Sequence, residues 1–402
     1  MESTKFLRDY INFIRFDKQH SPIPYFLTMT VVLTINIGTL SAALNVESQD
    51  IKIAVLDQWI EQLMFFPSTI PHCVNPKSIL QLLGLIDEEY FVSEKDFEHR
   101  VEVWKKIEVV YERRTRVMSL IYKLTKYILF MMYCAFCFRN AISHYFGFND
   151  VQFPPSAVTP FLWFTEVKLE FSIHFTFVYV LQVWHLTVCH VELYLLQMAV
   201  CLPIERILAD YEIIYILLDD FGERYSDSAV KYGNQDDTEE NKKMSCMKED
   251  MARIVKCHQH ICRNYRILAG NAAYLLFVIV LFVTIDSCFS YYLMLKAHVF
   301  KKAMKAALYS TSINVALFYI YHNGQKIINQ NDILRKTLTK IPWTDKPRWL
   351  KQTVYIMMTR ANVDNEIKPY GIFVLNYNSF KDLMKTFYSV GNVLSSSNFA
   401  RN

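Results

Sequence analysis

The sequence predicts an all-α membrane protein, with seven transmembrane helices and a cytoplasmic N terminus. Three observations predict it. Hydrophobic residues make up 52% of the 402-residue chain and charged ones only 20%, against roughly 25% charged in a soluble domain. Long stretches carry no charge, as spanning segments must when a charge at mid-bilayer costs several kcal/mol. Lys and Arg gather in alternate connections between those stretches. Aromatic residues at 15% fit the same class, since Trp and Tyr collect at membrane interfaces.

The spans follow in order. Residues 19–46 hold no charged residue, and their core at 25–44 is long enough to cross about 30 Å of hydrocarbon. A second span at 53–73 is interrupted by Asp57, Glu61, Pro67 and Pro71. The third covers 117–142, with Lys123 and Lys126 near one end, and the fourth is the uncharged run 171–191. The fifth, 267–295, contains the single acid Asp286, and the sixth covers 306–321. The seventh, 373–394, carries Lys381, Asp382 and Lys385, so one side of it is expected to be sheltered from lipid.

Sidedness comes from the basic residues. They crowd the segment before the first span and the stretches 91–116, 205–266 and 326–368; the connections at 47–52 and 143–170 carry few. The positive-inside rule therefore puts the N terminus in the cytoplasm and the C terminus outside. The link 296–305, with four lysines, is an exception assigned to head-group contact. This orientation is the reverse of a G-protein-coupled receptor, and the Asp-Arg-Tyr and Asn-Pro-x-x-Tyr motifs of that class do not occur. No signal peptide is expected, because Lys5, Arg8, Asp9 and Arg15 break up the first twenty residues.

Between spans, the polar segment 219–250 lacks apolar periodicity and reads as a flexible cytoplasmic insertion. Residues 192–218 keep helical apolar spacing, and helical patterning resumes at Met251. The fourth and fifth spans thus read as long helices that protrude from the bilayer.

No catalytic signature is present, neither a nucleophile elbow nor a phosphate loop nor a zinc-protease helix. An enzyme is not expected, nor is a cofactor. A net charge of +4 gives no case for nucleic-acid binding. Cys134, Cys137, Cys189, Cys201 and Cys288 sit in apolar runs and read as small hydrophobes. His258 and Cys262 are the one pair near the fifth span with ligand spacing on a helix, and two ligands do not make a metal site. His174, His185 and His190 read as ordinary polar residues of the fourth span.

What remains is recognition and conduction. Splayed aromatic helices can enclose a small oily molecule. On the outer halves of the spans, residues at helical spacing are Trp59, Leu63 and Phe66; Met131, Cys134 and Phe138; Phe175 and Tyr179; and Tyr309 and Ser312. Taken singly, each is equally at home in packing or against lipid; as a set they are the candidate ligand-binding residues. The last span is the candidate pore lining. Its Asn376, Tyr377, Asn378, Lys381, Asp382, Lys385 and Ser389 are costly in lipid but comfortable beside water, and Ser389, Val390, Val393 and Leu394 make the candidate gate. One such helix cannot form a pore, so several subunits are required.

The C-terminal third carries a family resemblance. The run TyrHisAsnGlyGlnLysIleIle from Tyr321, then Trp343, then ThrArgAlaAsn from Thr359, resembles the insect odorant receptors. So does PheValLeuAsnTyrAsnSerPhe from Phe373, leading into LysThrPheTyrSerValGlyAsnValLeu from Lys385. The family's Ser/Thr-Tyr-Ser signature stands here as Phe387-Tyr388-Ser389. Fainter echoes begin at Asn75 and Lys256. The resemblance implies a tetrameric, ligand-gated, non-selective cation channel of the insect odorant receptor type, in the plasma membrane of olfactory sensory neurons. It implies an N-terminal cytoplasmic segment at 1–22 and six spans with an outer pocket at 23–322. A cytoplasmic anchor at 323–370 and the pore helix with its tail at 371–402 follow. The Thr-Tyr…Gln ending of the shared co-receptor is missing, so the chain resembles a ligand-specific subunit whose partners are that co-receptor, a small volatile odorant and membrane lipid. A metabotropic seven-helix chemoreceptor and a gustatory-type receptor channel are the alternatives; a transporter would need paired broken helices, for which Asp286 alone is thin support.

Overall fold

The computed structural model describes residues 2–14, 23–45, 76–145, 173–226, 237–296, 300–363 and 365–399, with isolated positions between 52 and 69. Every extended element among the described residues is helical. We number the α-helices α1 (Glu2–Ile14), α2 (Ile23–Asn45), α3 (Lys77–Asp87), α4 (Val101–Tyr145), α5 (Ile173–Tyr225), α6 (Asp237–Lys296), α7 (Phe300–Lys340), α8 (Arg348–Ala361) and α9 (Tyr377–Phe399). Among the described residues three segments are long and apolar enough to cross a membrane by length and composition alone: Ile23–Asn45, Val183–Tyr225 and Asn241–Leu295. The spans expected at 117–142, 306–321 and 373–394 fall on α4, α7 and α9. The expected span at 53–73 lies largely outside the described residues; Val55, Leu56, Trp59, Ile60, Leu63 and Thr69 within it are helical.

Helix α5 is the axis of the fold and packs against α2, α3, α4, α6 and α7. Up to Leu202 its one charged residue is the buried Glu192, charges become frequent from Glu205 onward, and Pro203 sits inside it at that change. The proline removes one backbone hydrogen bond, a loss that long membrane helices tolerate through neighbouring groups. The helix nonetheless runs on to Tyr225, as its apolar spacing predicts.

Beyond Pro203 the core is threaded by ion pairs. Buried Glu205 accepts from Arg114 of α4 at 2.6 Å and from Lys326 of α7 at 2.9 Å, so one carboxylate ties three helices together. Arg206 lies fully buried with its guanidinium 3.4 Å from the centre of the Tyr90 ring and donates to the Glu89 carbonyl at 3.0 Å. Asp250 of α6 gathers Arg100 and Arg224 and accepts from the Tyr225 hydroxyl at 3.0 Å. Partnered charges of this kind can stay buried where isolated ones cannot.

Two expectations are corrected. The segment 219–250 is helical at both ends, with α5 continuing to Tyr225 and α6 starting at Asp237. Met247, Met251 and Ile254 are buried at helical spacing, so the charged residues from Asp237 onward belong to an amphipathic helix whose apolar face is narrow. The last span starts later than position 373. A 3-10 turn at Pro369–Gly371, with Tyr370 and Gly371 at positive φ, precedes it. Asn376 then caps α9, its side-chain oxygen accepting from the Ser379 N–H at 2.8 Å.

Candidate functional site

Helix α9 is seated on α6 and α7. Phe387 is buried in the main core, and Gly391 is buried where the Tyr291 ring of α6 crosses it; a methyl group there would stand 2.1 Å from that ring. Tyr291 and Tyr388 lie 6.0 Å apart along the same contact. The base of α9 is fastened to α7. The His322 Nδ1 and the Tyr377 hydroxyl are 2.6 Å apart, and Gln325 Oε1 accepts the Tyr377 N–H at 3.3 Å. Phe318 stacks on Tyr377 at 6.0 Å, and Tyr321 packs on Phe380 at 5.7 Å. Leu375 presses its carbonyl onto Gly324, where a β-carbon would meet that oxygen at 2.2 Å.

These contacts give a role to the TyrHisAsnGlyGlnLys run at 321–326. Tyr321, His322, Gly324 and Gln325 hold α9. Asn323 reaches Cys201 at 3.5 Å, and Lys326 reaches Glu205. Sequence reading quoted the run but gave it no task. A glycine inside a helix is the one local hint, but not a sufficient one: Gly324 marks a close approach, whereas a β-carbon on the helical Gly84, Gly222 or Gly270 would meet nothing within 4 Å.

The opposite face of α9 is uncovered. Asn378, Lys381, Asp382, Lys385 and Ser389 are exposed, and Val390 and Val393 continue the face toward the C-terminal end. At 100° per residue these positions share one broad arc, with Phe387 and Gly391 opposite. The arc is polar over its first three turns, and after Ser389 it carries Val390 and Val393 with the half-buried Asn392 beside them. Lys385 and Asp382 pair at 3.4 Å, an exposed contact that contributes little stability. Beside it, Phe380, Lys381, Met384, Lys385, Tyr388 and Ser389 line an open depression. The fourth candidate gate residue, Leu394, has its backbone in α9 and its side chain outside the described residues.

The candidate ligand residues are only partly described. Trp59 and Leu63 are half-buried, one turn apart; Phe66 lies outside the described residues. Met131 is exposed and Cys134 half-buried on α4, while between them Tyr133 turns to α5 and meets the Thr187 hydroxyl at 3.2 Å. Ser312 is exposed and donates its hydroxyl to the Leu308 carbonyl at 2.9 Å. Phe138, Phe175, Tyr179 and Tyr309 have helical backbone, and their side chains lie outside the described residues. His258 Nε2 stands 3.8 Å from Cys262 Sγ, and among the described residues no group of three metal-ligating side chains comes together.

The shape of the chain has known counterparts. The insect olfactory receptor OR5 from Machilis hrabei, solved in complex with eugenol, superposes with a TM-score of 0.66 at 12% identity, over 98% of this chain and 97% of that one. The same receptor's other structure gives 0.64 at 13% identity, over 97% and 98%. No curated protein matches the sequence. A family model described as 7tm Odorant receptor matches residues 77–388, which takes in α3 through most of α9 and every ion pair described above. The chain therefore belongs to the odorant receptor family, and its helical membrane fold is that of the insect olfactory receptors.

Proposed function

We propose that this chain is the ligand-specific subunit of a heteromeric, odorant-gated, non-selective cation channel that opens together with the odorant receptor co-receptor. The observation that carries the reading is the two-sided pattern of α9. One face is locked onto α6 and α7, and the other exposes Asn378, Lys381, Asp382, Lys385 and Ser389, with the exposed Val390 and Val393 beyond them. That pattern suits a helix lining water among several subunits, with Ser389, Val390, Val393 and Leu394 as the constriction. A volatile, largely apolar odorant binds among Trp59, Leu63, Phe66, Met131, Cys134, Phe138, Phe175, Tyr179, Tyr309 and Ser312. The eugenol complex of the Machilis receptor supports a small aromatic volatile as the ligand class. The odorant must bind the open state better than the closed one, because that difference is all that drives gating.

In this reading the N terminus and the ion-paired halves of α5, α6 and α7 are cytoplasmic. Residues 1–22 form the leading segment, 23–322 the spans, 323–370 the anchor and 371–402 the pore helix and tail. The complex resides in the plasma membrane of olfactory sensory neurons. The test is current from cells expressing the chain with the co-receptor, exposed to a volatile panel that includes eugenol. Current is expected only when both chains are present. An epitope at Met1 is expected to be reachable only after permeabilisation. Silence with a co-receptor that opens alongside another subunit, or an N terminus reachable from outside, overturns the reading.

A further inference from the structure

We infer that Lys381 and Lys385 form a positive collar in the ion path that holds back divalent cations, making this chain a determinant of the channel's calcium permeability. The inference rests on the proposed function and adds to it the residues that choose among cations. Lys381 and Lys385 stand on the exposed arc of α9 one turn apart, and Asp382 is the one acid on that arc. Two lysines against one aspartate leave each copy a net charge of +1 just below the valine constriction. Lys385 and Asp382 are both largely exposed, so their charges face water and are screened rather than neutralised by the protein.

The chemistry is unusual for a cation path, which is ordinarily ringed by carboxylates. A net positive ring raises the electrostatic energy of a divalent ion twice as much as that of a monovalent one. Monovalent flux therefore continues while calcium is disfavoured.

The test is the calcium-to-sodium permeability ratio from reversal potentials, measured on the chain co-expressed with the co-receptor. Lys381→Gln with Lys385→Gln is expected to raise the ratio about two- to threefold, and Asp382→Asn to lower it. Lys385→Cys provides a second route should the double variant fail to reach the surface. Modification by a positively charged thiol reagent is expected to restore the wild-type ratio, and a negatively charged one to overshoot it, against unmodified wild type as control. Odorant-evoked currents of ordinary size with a ratio indifferent to charge at 381, 382 and 385 overturn the collar and leave the proposed function standing. Absence of current in the wild-type pair overturns the proposed function itself.

Discussion

Asp87 shows how one side chain holds a helix that propensity alone would not keep. Helix α1 has 13 residues, near the lower limit at which an isolated helix is stable in water. It is held by the buried Leu7 and Ile11 and by a polar clamp to the end of α3. The Thr4 hydroxyl reaches the two Asp87 oxygens at 2.8 and 2.7 Å, and Arg8 reaches one at 2.9 Å. Burial by itself raises the carboxyl pKa, but the bonds from Thr4 and Arg8 outweigh it and hold the group below its ordinary 3.8. The folded value is the lower one, so the clamp is fully formed above about pH 4 and is lost as pH falls through the folded pKa. Amide exchange over α1, corrected for its intrinsic pH dependence, is therefore expected to be level near neutrality and to accelerate below about pH 4. In Asp87→Asn the acid step should vanish and exchange at neutral pH should rise about fivefold, since the clamp is half-exposed and worth about 1 kcal/mol. Wild-type protection in that variant would show that the apolar face alone holds the helix.

At the scale of elements, the seat of α9 rests on how closely its backbone and that of α7 can approach their neighbours. Gly324 and Gly391 mark its two closest approaches, and the obstacles differ. A methyl on Gly324 meets the Leu375 carbonyl and β-carbon at 2.2 and 2.4 Å, so backbone must shift. A methyl on Gly391 meets only the Tyr291 ring, which rotates about its side-chain bonds. Gly324→Ala is expected to destabilise the chain by about 2 kcal/mol, the cost of overpacking a site that cannot relax. Gly391→Ala is expected to cost less than half of that. Thermal unfolding followed by size exclusion separates them, and equal losses would refute the distinction. Sequence periodicity made much of this level legible. The continuation of α5 past 191 and of α6 into its span could be read from apolar spacing alone. The start of α9 could not, because Asn376 resembles any other asparagine until its oxygen is seen capping Ser379. Nor was the helical start at Asp237 legible, since the single buried apolar residue, Met247, among the charges of 237–250 leaves almost no periodic signal. The face of α9 was legible for a physical reason: charges in an otherwise apolar span have few places to go. For the candidate ligand residues spacing alone does not decide, because an aromatic that faces a cavity and one that faces a neighbour have the same spacing.

At the scale of the whole molecule, the surface area itself argues for assembly. The chain exposes 23315 Å², whereas a compact soluble monomer of its mass, 47.5 kDa, exposes about 16,000 Å². Helices of 41 to 60 residues contribute long exposed flanks to that area, and the exposed Ile23, Phe26, Leu33, Ile37 and Leu44 of α2 add an apolar surface suited to lipid. The charged arc of α9 is costly to place in lipid, and the proposed assembly would leave its lysines in water. Solubilised alone, the chain is therefore expected to unfold several degrees below its complex with the co-receptor, because any partner that binds only the folded state stabilises it by mass action. Light scattering on the complex should return the mass of four chains. A chain that stays monomeric in the presence of the co-receptor, with the same melting temperature alone as in the mixture, would show that the excess surface is met by lipid and detergent, and the exposed arc of α9 would then need an explanation other than a shared water path.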